Sequence, residues 1–287
     1  MEKSIKNYFI LIFLAIIWGS SFILMKRGLE VYSYTQVAAL RLFIAFLSLL
    51  PFVVRAFKKV AKKHWLAIVI TAFLGNGIPA FLFTKAQTHL DSSFVGILNS
   101  LTPLFTLLLG IYFFKSRPTK TNIFGIIIGL SGAFLLSSSN LDGFFTINFY
   151  TLLVVLATLF YAVSVNVIRK YLADLDAISI SALAFLFIGP ACGIYIFRGN
   201  FIPLLYSEGG VDALIYIAIL AIIGTSLAVV IFNKLIKDSS AIFASSVTYL
   251  IPIVAIFWGI WDGEHILLTH IVGATIILCG VYLVNKK

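Results

Sequence analysis

Apolar positions along this chain fall in long blocks separated by short polar gaps. The blocks lie at about residues 8–25, 36–54, 65–84, 93–114, 120–137, 147–168, 178–197, 212–233, 241–261 and 266–285. A helix rises 1.5 Å per residue and the hydrocarbon core of a bilayer is about 30 Å thick, so about 20 apolar residues cross it. The blocks lack the two-residue alternation of a barrel strand, and in lipid only helices and closed barrels satisfy their own backbone. The pattern predicts an all-α integral membrane protein of ten transmembrane helices. The connections are short, so neighbouring helices pack antiparallel.

Composition agrees. Hydrophobic residues make up 61% of the 287 positions and charged residues 11%, against roughly 45–50% and about 25% in soluble domains. The net charge of +10 does not point to nucleic acid, because the basic residues sit in the gaps between apolar blocks and not on a soluble face. Cys192 and Cys279 both lie inside apolar blocks and read as small buried residues. No cysteine or histidine spacing suggests a metal site, and no cofactor is expected. Lys3 and Lys6 precede the first block as in a signal peptide, but the block is longer than the usual 7–15-residue apolar region of one. It reads as a retained first helix.

Loop charge sets the orientation. With the N-terminus inside, 16 Lys and Arg residues fall on the inner side and only Lys26, Arg27, Lys85 and Arg198 on the outer, with Arg41 inside a span. Basic residues concentrate on the cytoplasmic side. Both termini are therefore expected in the cytoplasm, with the chain in the cell (inner) membrane.

The chain also repeats itself. Trp18 to Ser21 with Lys26 echoes Tyr161 to Ser164 with Arg169; Asp91-Ser92-Ser93 echoes Asp238-Ser239-Ser240; Pro103 and Gly110 echo Pro252 and Gly259; Gly125 and Gly132 echo Gly273 and Gly280. Residues 1–140 and 141–287 would each supply five helices. Five is odd, so the second half enters the membrane from the opposite side. Inverted repeats of this kind are characteristic of secondary transporters, whose sites lie between the halves.

Trp18-Gly19-Ser20-Ser21-Phe22, Leu101-Thr102-Pro103, Tyr249-Leu250-Ile251-Pro252, and Gly263-Glu264 followed by Gly273 and Gly280 carry a resemblance that spans the chain. The sequence resembles the drug/metabolite transporter superfamily, in particular its ten-helix EamA branch. The resemblance implies efflux of metabolites, amino acids or drugs. One position departs: where the family usually has a Glu after helix 4, this chain has Lys115 or Ser116.

Polar residues deep in a span need a cavity or a neighbouring helix. Trp18 and Ser21 share a face of helix 1, as Tyr161 and Ser164 do in helix 6. They either line a solute cavity or pack tightly through small residues. Helices 3 and 8 carry the breaks Gly75-Asn76-Gly77 and Gly224-Thr225-Ser226; Asn99 and Thr102 precede Pro103, and Thr248 and Tyr249 precede Pro252. The prolines are expected to be kinks, with hydroxyls satisfying the backbone they free, while Asn76 and Asn99 need real partners. Arg41 either snorkels to the outer surface or meets a carboxylate on the solute. His270 either makes a structural hydrogen bond or couples transport to protons. Trp258 and Trp261 are expected at the interface.

The expected substrate-binding set is thus Trp18, Ser21, Arg41, Asn76, Asn99, Thr102, Tyr161, Ser164, Thr225, Thr248 and Tyr249. The function expected is secondary transport by alternating access, exporting small metabolites such as amino acids, or lipophilic drugs, by a monomer or homodimer. The alternative is a metal-dependent membrane transferase using Asp174 and Asp176, for which a lone D-x-D without further ligands is weak support.

Overall fold

The computed structural model describes residues 2–115, 117, 119–138 and 149–261, with scattered positions between 272 and 283. Its regular structure there is helical throughout. The long helices are α1 (Glu2–Leu29), α2 (Tyr34–Phe57), α3 (Lys62–Gln87), α4 (Phe94–Phe114), α5 (Lys120–Ser138), α6 (Phe149–Tyr171), α7 (Ala177–Arg198), α8 (Gly210–Asp238) and α9 (Ala241–Trp261). Among the described residues, 8 helices are long and apolar enough to cross a bilayer. The remaining one, α5, has 19 residues. Most of the tenth expected span, the proposed junction at 140/141, Glu264 and His270 lie outside the described residues.

Local chemistry sets the helix ends. Ser33 caps α2 through a reciprocal box: its hydroxyl accepts from the Gln36 N–H and its own N–H donates to Gln36 Oε1 (3.0 Å). Asp176 caps α7, accepting from the Ser179 N–H at 2.9 Å. Lys115 ends α4 in a left-handed turn with φ 55°. A cation there complements the negative end of the helix dipole.

α2 packs along α7, α1 packs on α8 and α9, α6 packs on α3 and α4, and α4 packs on α9. Exchanging α1–α4 for α6–α9 leaves this set of contacts unchanged. The α2–α7 pair is close because Phe46 occupies the space a side chain at Gly189 would fill. On the outside, Phe9, Ile12 and Ile16 of α1 and Phe124 and Ile127 of α5 are exposed. Such apolar faces belong against lipid, not water.

Candidate functional site

The site starts from two wide turns. In mid-α3 the segment Phe73–Gly77, and in mid-α8 the segment Ile222–Leu227, form π turns that hold an extra residue without breaking the helix. Asn76 Nδ2 donates to the Thr71 carbonyl five residues back (3.0 Å), and Thr225 Oγ1 donates to the Leu220 carbonyl five back (2.9 Å). Each turn presents a glycine to a serine of a helix distant in sequence, α6 for α3 and α1 for α8. A Cβ on Gly75 would overlap Ser164, and one on Gly224 would press on Ser21. The aromatic residues pair in the same crossed fashion. Trp18 stands edge-on to Phe232 at 4.9 Å, and Tyr161 stacks on Phe83 at 5.6 Å. Trp18 Nε1 also donates to the Gly224 carbonyl (3.0 Å).

Between these pairs lies a cavity of about 110 Å³, room for several waters. Trp18, Ser21, Arg41, Asn76, Asn99, Thr102, Tyr161, Ser164, Thr225 and Thr248 all line it. Tyr249 does not. It is fully buried against Leu107 and Ile126, with its ring over Gly129, and its hydroxyl has no hydrogen-bond partner among the described residues. Thr248 lines the cavity, while Tyr249, about 100° further round α9, turns to the packing against α4 and α5. The lining also includes Thr71, Phe83, Phe232, Asn233 and Ser245, which sequence reasoning had not singled out. Phe232 and Asn233 follow Thr225 by two turns on the same face, a spacing that could have flagged them.

Arg41 does not snorkel. Its Nε donates from α2 to Thr225 Oγ1 of α8 (2.7 Å), and it lines the cavity. The carbonyls that Pro103 and Pro252 leave without a helical donor, those of Asn99 and Thr248, are met. The Thr102 hydroxyl donates to the Asn99 carbonyl (2.8 Å), and Ser100 of α4 donates to the Thr248 carbonyl of α9 (3.0 Å). Trp261 is exposed as an interfacial residue should be, whereas Trp258 is half-buried and donates to Ser20 Oγ (2.7 Å), tying α9 to α1.

The D-x-D carboxylates are engaged elsewhere. Asp174 accepts from Lys63 (2.9 Å) and lies 3.0 Å from His64 Nε2; His64 Nδ1 accepts from the Ala61 N–H, so Nε2 is the donor. Asp176, besides capping α7, pairs with Lys59 (2.7 Å). The bonds from Lys63 and then His64 hold Asp174 down at about 2. Partial desolvation pushes Asp176 up, but Lys59 and Ser179 outweigh it and also leave it at about 2. These contacts join the α2–α3 connection to the α6–α7 connection.

A model of the EamA-like transporter family matches residues 5–138 and 148–286. The chain is 23% identical to an uncharacterized transporter of Archaeoglobus fulgidus over 98% of this chain and 99% of that protein. It is 24% identical to a probable amino-acid metabolite efflux pump of Salmonella typhimurium over 48% of this chain and 45% of that one. A solved crystal structure superposes with a TM-score of 0.74, covering 97% of this chain and 96% of its own at 15% identity, a likeness of fold alone.

Proposed function

Because the chain belongs to the EamA-like transporter family, we propose that it is a secondary transporter exporting small, partly apolar organic solutes by alternating access. The protein is a multi-pass membrane transporter and not an enzyme; solute, direction and mechanism are the proposal. The observation that carries it is the cavity, whose polar and aromatic lining comes in crossed pairs from both halves. The two segments matched by the family model and the exchangeable helix contacts support a five-plus-five inverted repeat. In that architecture the cavity is reached from one side and then the other as the halves rock about the bound solute. The two π turns let α3 and α8 flex without losing backbone hydrogen bonds.

The proposed transporter is a monomer or homodimer, and the cavity is lined within one chain. The loop charges favour cytoplasmic termini in the cell membrane. Trp18, Phe83 and Phe232 offer an apolar wall, and Asn76, Asn99 and Thr102 offer hydrogen bonds. An amino acid or a related metabolite fits this lining, and the name of the Salmonella typhimurium relative points the same way. His270 is the proposed site of any proton coupling. The test is a solute-release screen from proteoliposomes with and without a proton gradient. The expected result is release of at least one such metabolite, lost in Trp18→Ala at equal protein abundance. Release no faster than from protein-free liposomes for every solute would contradict the proposal.

A further inference from the structure

The cavity's symmetry is broken at one place. Trp18 has Tyr161 as its counterpart, Ser21 has Ser164, and the Asn76 turn has the Thr225 turn. The sequence separation that relates Trp18 to Tyr161 also relates the α2 cap Ser33 to the α7 cap Asp176, and it relates Arg41 to Ala184. Ala39-Leu40-Arg41 thus answers to Ala182-Leu183-Ala184, and Ala184 is fully buried. The cation is present in one half only.

Arg41 is also without a counter-ion. Its hydrogen bond among the described residues is the one from Nε to Thr225 Oγ1, and it makes no ion pair there. The described lining contains no Asp or Glu, and no other cation. That leaves the two Nη groups of a planar fork, the geometry that takes a carboxylate by two parallel hydrogen bonds. Asn99 adds another donor to the lining: its Oδ1 accepts from Thr102, while its amide nitrogen has no partner among the described residues. Around these donors the walls are apolar: Trp18, Phe22, Met25, Phe83 and Phe232.

We propose that the cavity selects organic anions, solutes with one carboxylate seated on Arg41 and an apolar body against Trp18, Phe83 and Phe232. This rests on the transporter reading above. Zwitterions rank second, since the described lining offers their ammonium hydroxyls and amide oxygens but no carboxylate. Neutral isosteres rank third, and cations are rejected by Arg41.

The test uses four probes of one size: phenylpropanoate, phenylalanine, phenylpropanamide and phenylpropylamine. Binding to the purified full-length protein in nanodiscs is followed by calorimetry, and release is followed from proteoliposomes. The expected order is anion, zwitterion, amide, amine, with the anion at least about tenfold tighter than the amide. Arg41→Gln should bring anion and amide to equal affinity, and Arg41→Lys should fall between, keeping the charge but losing the fork. If Arg41→Gln does not fold, Thr225→Val, which removes the acceptor that aims Arg41, should narrow the anion preference instead. Amide or amine binding as tightly as the anion, together with release of those probes, would overturn the anion selectivity and leave the transporter reading standing. Absence of binding and release for all four would also overturn the anion selectivity, and the broader solute-release screen alone would then decide the transporter reading.

Discussion

Arg41 carries a cost that its contacts do not recover. Insertion scales put an Arg at the centre of a membrane helix at about 2.5–3.5 kcal/mol, and the described partner of Arg41 is one neutral hydroxyl. A residue kept for function at the expense of stability should give a more stable protein when replaced by an apolar residue of similar length. Arg41→Met is therefore expected to unfold at a higher temperature than wild type in detergent, by the equivalent of roughly 1–2 kcal/mol, while losing transport. An unchanged or lowered melting temperature would mean that Arg41 is structural. The two tryptophans make a second comparison. Trp18 donates into the π turn of α8 and faces the cavity, whereas Trp261 is 80% exposed. Trp18→Ala should lower the transport rate by about tenfold or more at equal abundance, and Trp261→Ala by less than about twofold; equal losses would remove Trp18 from the site. At this scale the sequence was legible where a polar group sat at mid-span depth beside small residues. It misled at Tyr249, because local sequence does not show the packing against Gly129 that takes this ring away from the cavity.

The helices teach a different lesson. Glycine flanked by Asn or Thr marked the middles of α3 and α8 as interrupted, and each holds a π turn in an otherwise continuous helix. The difference is physical: in lipid an opened turn leaves carbonyls unmet, and the Asn76 and Thr225 side chains meet them five residues back. Gly75→Ala should force Ser164 aside and cost roughly 1–3 kcal/mol. Adding Ser164→Ala should recover much of that, and thermal unfolding of the single and double variants checks it. The ion pairs at the α6–α7 connection were not legible, because nothing in local sequence links Lys59 and Lys63 to Asp176 and Asp174 across more than a hundred residues. Both carboxyls sit below their ordinary value of 3.8, at about 2. A depressed carboxyl contributes stability that is present above the unfolded value and lost as pH falls through the folded one. The stability difference between wild type and Asp174→Asn should be flat near neutral pH and shrink as pH falls from about 4 toward 2. A difference that changes near neutral pH would assign the titration to another group.

At the level of the whole molecule, the blocks of apolar sequence predicted the helices well, because length and hydropathy are what a bilayer demands of a span. The crossed arrangement was harder to read. Repeat spacing suggested that Trp18 and Tyr161 correspond, but only the fold shows which rings they meet, Trp18 on Phe232 and Tyr161 on Phe83. The proposed orientation predicts that exposed cysteines at Lys62→Cys and Asn200→Cys react with an impermeant reagent from opposite sides. If the cavity opens to each side of the membrane in turn, as proposed, Thr248 of α9, which lines it, is reachable from both sides. In a protein with Cys192 and Cys279 replaced by serine, Thr248→Cys should be modified by an impermeant thiol reagent both in intact spheroplasts and in inside-out vesicles. Modification from one side alone, or from neither, would contradict alternating access through this cavity.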